Sequence, residues 1–194
     1  MNPMDEAEAP VGGLGIWGVL LLEHERLLPL VDSFETYGQM LQMGQAEPAD
    51  LIKYCVCFRE LQALIQHEEQ ALFEGVVPSG FGAQAGRALK REEMEQEQGV
   101  LLHVTRCALQ DVPWEDTHRE RIASLAAGFA VVLRSRIKNK RDQLYPELEH
   151  SLSGGDLSDF EQGLLRFDRT LQFSDQVNWL LELAASLERK YPTP

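Results

Sequence analysis

The chain has 194 residues, enough for one sizeable hydrophobic core or for one domain with a tail. Apolar residues make up 44% of it and charged residues 25%, which is ordinary for a soluble globular protein. The formal net charge of −13 disfavours binding to nucleic acid or to an anionic membrane through a basic surface.

The N-terminal segment, residues 1–12, is acidic and is predicted to be a flexible leader. The apolar run from Gly12 to Leu22 is too short to span a membrane, and no basic segment precedes it, so we expect no signal peptide and no transmembrane segment. An odd, sparse set of three cysteines is not a disulfide framework and predicts buried thiols in a reducing compartment. These features together predict a cytoplasmic protein.

Helical periodicity predominates, and strand signals are weak throughout. The first helix is predicted over about Leu14–Met43, with a kink at Pro29 because proline removes a backbone donor. Gly44 ends this helix, and the second helix is predicted over about Pro48–Phe73.

Three further helical regions are predicted in the second half of the chain. The third helix covers about Ala83–Gln110 and the fourth about His118–Ser151. The region Leu157–Lys190 is amphipathic and is predicted to break near 173–175, after which the tail from Tyr191 frays. The apolar stripe predicted for its last piece is Val177, Leu180, Leu181 and Leu187.

Four long amphipathic helices joined by short loops predict an all-α fold, an antiparallel four-helix bundle over residues 13–153. Residues 154–194 are predicted to form a C-terminal helical extension. The pattern leaves open whether this extension packs on the bundle or lies at the interface of a homodimer.

Several polar residues fall on the apolar stripes of the predicted helices. A bundle builds a cofactor site from side chains that project inward at the same height. Arg136 and Lys140 interrupt the apolar line of the fourth helix, and a charge buried there requires a partner anion. Glu68, on the stripe of the second helix, is the natural partner. The alternative is that these charges lie on solvated helix surfaces.

Four segments give the chain its resemblance to a known family. They are Leu22–Leu28, Glu68–Phe73, Glu95–Gly99 and the stretch from Arg136 to Glu149 that contains Leu-Tyr-Pro-Glu-Leu-Glu. Taken in this order, with these helix lengths between them, they resemble the hemerythrin-like, or HHE cation-binding, family over about residues 14–153.

The resemblance implies a bundle that holds two irons through six ligand positions, and proteins of this kind bind oxygen or nitric oxide, sense or store iron, or act in regulation. Two of the six positions carry the family's ligand types, His24 and Glu68. The other four do not: they are Leu64, Gln96, Arg136 and Lys140. Alternative ligands for a rearranged site would be His67, Glu69 and His103.

The substitutions favour a bundle without a cofactor, because a cation cannot ligate iron. We therefore expect a non-catalytic structural or regulatory protein with a buried ionic network in place of the metal. Two alternatives stay open: an iron protein with a rearranged site, and a protein that binds a small anionic ligand between Arg136 and Lys140. A protein partner is also compatible with the sequence, and no motif of a known enzyme class is present.

Overall fold

The computed structural model describes the backbone of residues 25–76, 99, 104, 114–146 and 175–193. It describes their side chains except at positions 64–76, 144 and 175–177. Within these ranges the chain forms helices and turns and no strand, which confirms the all-α class. None of the helices in the described ranges is both long and apolar enough to cross a membrane.

Helix α1 covers Leu27–Gln42. Pro29 therefore lies in its first turn, where backbone N–H groups have no intrahelical acceptor. Glu25 is also helical and is separated from α1 by a turn at Arg26, and the earlier part of the predicted first helix lies outside the described residues. The prediction that Gly44 ends the helix is confirmed. Gly44 has a φ of 72°, and its N–H donates to the carbonyl of Leu41 while that of Gln45 donates to the carbonyl of Met40. This pattern is a Schellman motif.

Helix α2 covers Asp50–Val76, and helix α3 covers Asp116–Asn139. A π-helical segment, Lys140–Leu144, continues α3 without a break and was not predicted. Helix α4 covers Asp175–Lys190, so a helix does begin where the sequence predicted a break.

Six aromatic rings meet in the core, and they come from α1, α2, α3 and the residue that follows α4. Neighbouring rings have their centroids between 4.7 and 6.3 Å apart. All six side chains are nearly inaccessible to solvent. We call this set the aromatic core: Phe34, Tyr37, Tyr54, Phe58, Phe129 and Tyr191. Such rings bury large apolar surfaces and supply much of the driving force for packing the helices together.

The contacts give the relative directions of the helices. Tyr37 of α1 meets Tyr54 of α2, and Phe34, one turn earlier, meets Phe58, one turn later, so these two helices are antiparallel. Helix α3 also runs antiparallel to α1. Gly44 at the end of α1 lies beside Arg119 near the start of α3, and residues of the first turns of α1 lie beside Arg134.

Helices α1 and α3 come close together at Gly38. A β-carbon built at this position would lie 3.0 Å from the Cβ of Ala126 and 3.1 Å from the Cα of Ala123. These distances are shorter than nine in ten contacts of real Cβ atoms, so the glycine favours the close approach of the two helices. Ala123 and Ala126 on α3 are small as well, and this also allows α3 to lie close to α1.

Helix α4 packs against α1 and α2 of the same chain. It buries Leu180, Ala184 and Leu187. Leu181 was predicted to belong to this stripe and is 47% exposed, so that assignment is wrong. The prediction that the tail frays from Tyr191 is also wrong, because Tyr191 is 1% exposed and its ring belongs to the aromatic core.

Candidate functional site

Two buried cations lie at the C-terminal end of α3. Arg136 and Lys140 are each only 4% exposed to solvent, as the apolar spacing of this helix predicts. They are four residues apart, so they project from the same face of the helix on consecutive turns. Both have interaction partners within the protein.

Neighbouring cations on the same stretch behave differently. Lys138 and Arg141 are exposed, and Arg134 is 40% exposed at its side chain while it forms ion pairs with Asp32 and Glu35 of α1. Charged side chains ordinarily keep their charge in water in this way. The burial of Arg136 and Lys140 is therefore a property of these two positions and not of a generally basic helix end.

The π-helical segment begins at the second of the two cations. The N–H of Tyr145 donates to the carbonyl of Lys140, five residues earlier, whereas the N–H of Lys140 donates to the carbonyl of Arg136, four residues earlier. Tyr145, which follows this segment, is 4% exposed. Regular spacing predicts position 144 as the next buried one, and the side chain of Leu144 lies outside the described residues. Short π-helical turns are rare and occur frequently at functional sites.

The remaining predicted site positions are described only in part. Four of them belong to α2, where the structure describes the backbone and not the side chains: Leu64, His67, Glu68 and Glu69. Three others lie outside the described residues altogether: His24, Gln96 and His103. The structure thus places Arg136 and Lys140 together and leaves their relation to the other positions as a prediction.

Four of the six residues at the positions where the resemblance implies ligands, Leu64, Gln96, Arg136 and Lys140, are not of the types that hold a di-iron centre. Iron requires several imidazole or carboxylate donors that converge on it, whereas a guanidinium and an ammonium offer no lone pair and repel the metal. Leu64 offers no donor atom of any kind. Among the side chains that the structure describes, no three His, Cys, Asp or Glu residues converge to form an alternative metal site.

A buried carboxylate, Asp50, forms a second ionic cluster that the sequence analysis missed. Its side chain is fully buried. Lys53 donates to Oδ1 at 2.6 Å, and Oδ2 accepts from both Lys190, at 2.6 Å, and the hydroxyl of Tyr191, at 2.7 Å. We call these four residues the Asp50 cluster.

Electrostatics keep the Asp50 carboxylate ionised. Burial alone would raise the pKa of Asp50, but the hydrogen bonds from Lys190, Lys53 and Tyr191 outweigh it and lower the pKa to about 2. The carboxylate also lies in the first turn of α2, where the helix dipole favours a negative charge. The cluster is therefore a structural ion-pair network whose carboxylate stays ionised at neutral pH.

A buried hydroxyl pair joins α1, α2 and α4. The hydroxyl of Tyr54 donates to Ser33 Oγ, 2.6 Å away, and Ser33 in turn donates to the carbonyl of Leu187 on α4. Every hydroxyl in this chain of contacts has a partner, as buried polar groups require.

The cysteines carry no reactive site in the described part of the chain. Cys55 and Cys57 are buried free thiols, as predicted, and Cys107 lies outside the described residues. Burial raises the pKa of the Cys57 thiol to about 12, so it stays protonated at neutral pH. A protonated thiol is neither a good nucleophile nor a good metal ligand.

No protein-family model matches this chain, and no curated protein or solved structure matches it. What the described part of the molecule defines is an all-α protein that buries two cations at one end of α3 and a clustered carboxylate at the start of α2.

Proposed function

We propose that the chain is a hemerythrin-like four-helix bundle that has lost its di-iron site and acts as a non-catalytic structural or regulatory protein. The observation that carries this proposal is the burial of Arg136 and Lys140, each 4% exposed, at two positions where the resemblance calls for metal ligands. In place of two iron cations the protein holds a guanidinium and an ammonium. A buried ionic network then replaces the metal site.

The bundle itself is part of the proposal. Helices α2 and α3 are both antiparallel to α1, as expected for the first, second and fourth helices of an antiparallel bundle. The third bundle helix is assigned to residues 83–110. Helix α4 then belongs to the extension, and it covers the side of α1 and α2.

The heights of the charged positions support Glu68 as the partner of the two cations. Helices α2 and α3 are parallel to each other, and Phe58 meets Phe129 with ring centroids 4.7 Å apart. Position 68 lies ten residues beyond Phe58, about 15 Å along α2 at the rise of an α-helix. Arg136 and Lys140 lie seven and eleven residues beyond Phe129, about 10 and 16 Å along α3. The acidic position thus falls between the heights of the two cations.

A network of this kind selects one alignment of the helices. Sliding α3 by one turn along α2 would bury the two cations away from their acceptor, which costs several kcal/mol. Such a network need not raise stability above that of an apolar core, because desolvation offsets the attraction between the charges. Its contribution is to the register of the helices, and it fits a protein that acts through its surface.

The direct test is iron content. The protein is expressed with added iron, and the iron per chain is measured together with the ultraviolet–visible spectrum. We expect far less than one iron per chain and no oxo-bridge absorption. About two irons per chain with that absorption would overturn the proposal.

A reconstructed variant sharpens this test. The four changes Leu64→His, Gln96→His, Arg136→His and Lys140→Glu restore the ligand types that the resemblance implies. If the chain has the hemerythrin-like arrangement, this variant takes up iron where the unchanged protein does not. A folded variant, verified by circular dichroism, that still takes up no iron would argue against the family assignment.

The same two cations favour a second candidate function, the binding of a small anion. Two buried cations on consecutive turns of one helix face offer hydrogen-bond donors of the kind that bind phosphate and carboxylate groups. A thermal-shift screen with phosphate and citrate tests it, with Lys138→Leu, an exposed position on the same helix, as the control. Stabilisation that Arg136→Leu abolishes and Lys138→Leu retains would support this function, and no response to either anion would remove it.

A further inference from the structure

Among the described residues, helix α4 makes its polar contacts with the other helices at its C-terminal end. These contacts with α1, α2 and the loop between them come from Leu187, Lys190 and Tyr191. All three lie within the last turn of the helix and the residue that follows it. In the described turns before it, Leu180 and Ala184 are buried and contribute apolar contacts, while Trp179 is 53% exposed.

The Asp50 carboxylate divides its two oxygens between local and distant partners. Oδ1 accepts from Lys53, which lies one turn further along the same helix. Oδ2 accepts from Lys190 and Tyr191, which lie about 140 residues away in sequence. One oxygen therefore stabilises the start of α2, and the other connects α4 to it.

The distant half of the cluster is reinforced by the loop between α1 and α2. The backbone N–H of Glu47 donates to the hydroxyl of Tyr191 at 3.3 Å, and the Glu47 carboxylate lies 3.0 Å from the ammonium of Lys190. The ring of Tyr191 packs on Tyr37 with centroids 5.1 Å apart. Every one of these contacts is lost together if the residues from 187 to 191 move away.

From this asymmetry we infer that the Asp50 cluster is a latch, and that α4 opens from the α1–α2 surface as a separate unit while α1, α2 and α3 stay packed. Releasing the latch uncovers the apolar surface that Leu180, Ala184 and Leu187 cover in the closed state. The latch is a conformational device that does not depend on whether the chain once held iron.

Two lysines on the same carboxylate provide a matched test. Lys190→Met removes the cross-helix contact, and Lys53→Met removes the contact within α2; the two ammonium groups lie at equal distances from Asp50, and their side chains are 41% and 49% exposed. Amide hydrogen exchange of the full-length protein is measured by mass spectrometry under conditions where exchange reports the opening equilibrium.

We expect Lys190→Met to speed exchange within residues 175–191 by about tenfold, as the loss of a charged hydrogen bond implies, and to leave α1 and α3 unchanged. Tyr191→Phe should act in the same direction, and Lys53→Met should leave α4 at the rate of the unchanged protein. Equal acceleration in α1, α3 and α4 would overturn the inference, because the helices would then open as one unit. So would an effect of Lys53→Met on α4 as large as that of Lys190→Met.

Discussion

Helices α3 and α4 are attached to α1 in two different ways. Helix α3 lies against α1 along its length, with backbones in close approach at Gly38, an ion pair at Arg134 and the aromatic core between them. Helix α4 contributes fewer buried side chains, and its described polar contacts cluster at one end. The first attachment is distributed over many contacts, and the second depends on a few.

This difference determines what a single substitution can do. Where contacts are distributed, removing one of them weakens the whole unit, and the cost appears as global stability. Where they cluster, one change can release a single helix. The predictions that follow separate these two behaviours, in order of the expected effect.

The largest effect is expected at the buried cations on α3. Arg136→Ala should lower the free energy of unfolding by about 4 kcal/mol, because it leaves the partner of a buried charge uncompensated. Chemical denaturation measures the change. Lys138→Ala, at an exposed position two residues away, is the control and should change it by less than about 0.5 kcal/mol. Equal effects of the two variants would show that the burial of Arg136 has no energetic consequence.

A smaller effect is expected at the latch of α4. Asp50→Asn should cost about 2 kcal/mol, because it removes the negative charge that attracts Lys190 and Lys53 and replaces one of the two acceptor oxygens by an NH2 donor. Asp142→Asn is the control, since Asp142 pairs only at an exposed site with Arg141. If Asp142→Asn lowered the free energy of unfolding as much as Asp50→Asn, the buried cluster would contribute no more to stability than an exposed ion pair.

The same carboxylate predicts a specific acid sensitivity. The folded protein lowers the pKa of Asp50 from its ordinary value of 3.8 to about 2. A lowered pKa gives stability that is present above pH 4 and is lost as the pH falls through the range from about 4 to 2. Denaturation measured across this range should show a steeper loss for the unchanged protein than for Asp50→Asn. Parallel curves for the two proteins would contradict the assigned ionisation.

Substitutions at two glycines test the close approach of α1 and α3, because they are expected to change the free energy of unfolding in opposite directions. Gly38→Ala should destabilise by about 1 kcal/mol, because its new methyl group would overpack against Ala126. Gly128→Ala should stabilise by up to about 1 kcal/mol, because this helical position has open space around it and alanine is the better helix former. Changes of the same sign in both variants would mean that the two helices are not in close contact at Gly38.

The smallest effect is expected at the partly exposed ion pairs between α1 and α3. Arg134→Gln should cost about 0.5 kcal/mol at low salt, and the difference from the unchanged protein should fade at high salt because exposed charges are screened. Thermal unfolding at two salt concentrations measures this. A loss that is independent of salt would show that Arg134 contributes through packing of its stem on Asp32 and Glu35 instead.

Much of the helical structure follows from the apolar spacing. The end of α1 at Gly44, the span of α2 and the start of α4 lie close to their predicted positions. Periodicity also placed Arg136 and Lys140 on the buried face, because regular α-helical spacing holds up to Lys140. It did not predict the π-helical segment that follows, which adds a residue to the turn and precedes the buried Tyr145. No local sequence signal distinguishes such a segment from a regular α-helix.

The Asp50 cluster shows a different limit of sequence reading. An acidic residue in the first turn of a helix is ordinarily a solvated partner of the helix dipole, so Asp50 carries no local sign of burial. Tyr191 stands just before Pro192 near the end of the chain, a place where helices usually fray. The two residues meet across about 140 residues of sequence, a contact that no local pattern predicts.

The aromatic core also sets an alkaline limit on this protein. Burial, together with neighbouring acidic groups, raises the pKa of Tyr37 and Tyr54 well above the ordinary 10, and the pKa of Tyr191 is raised as well. Folding therefore requires three phenols to keep their protons, and the stability they favour is complete below pH 10 and declines above it. Phenolate absorbance of these three of the chain's four tyrosines should appear in one cooperative step as the helices separate. A base titration, with Tyr145→Phe to remove the fourth phenol, therefore reports when the core first admits water.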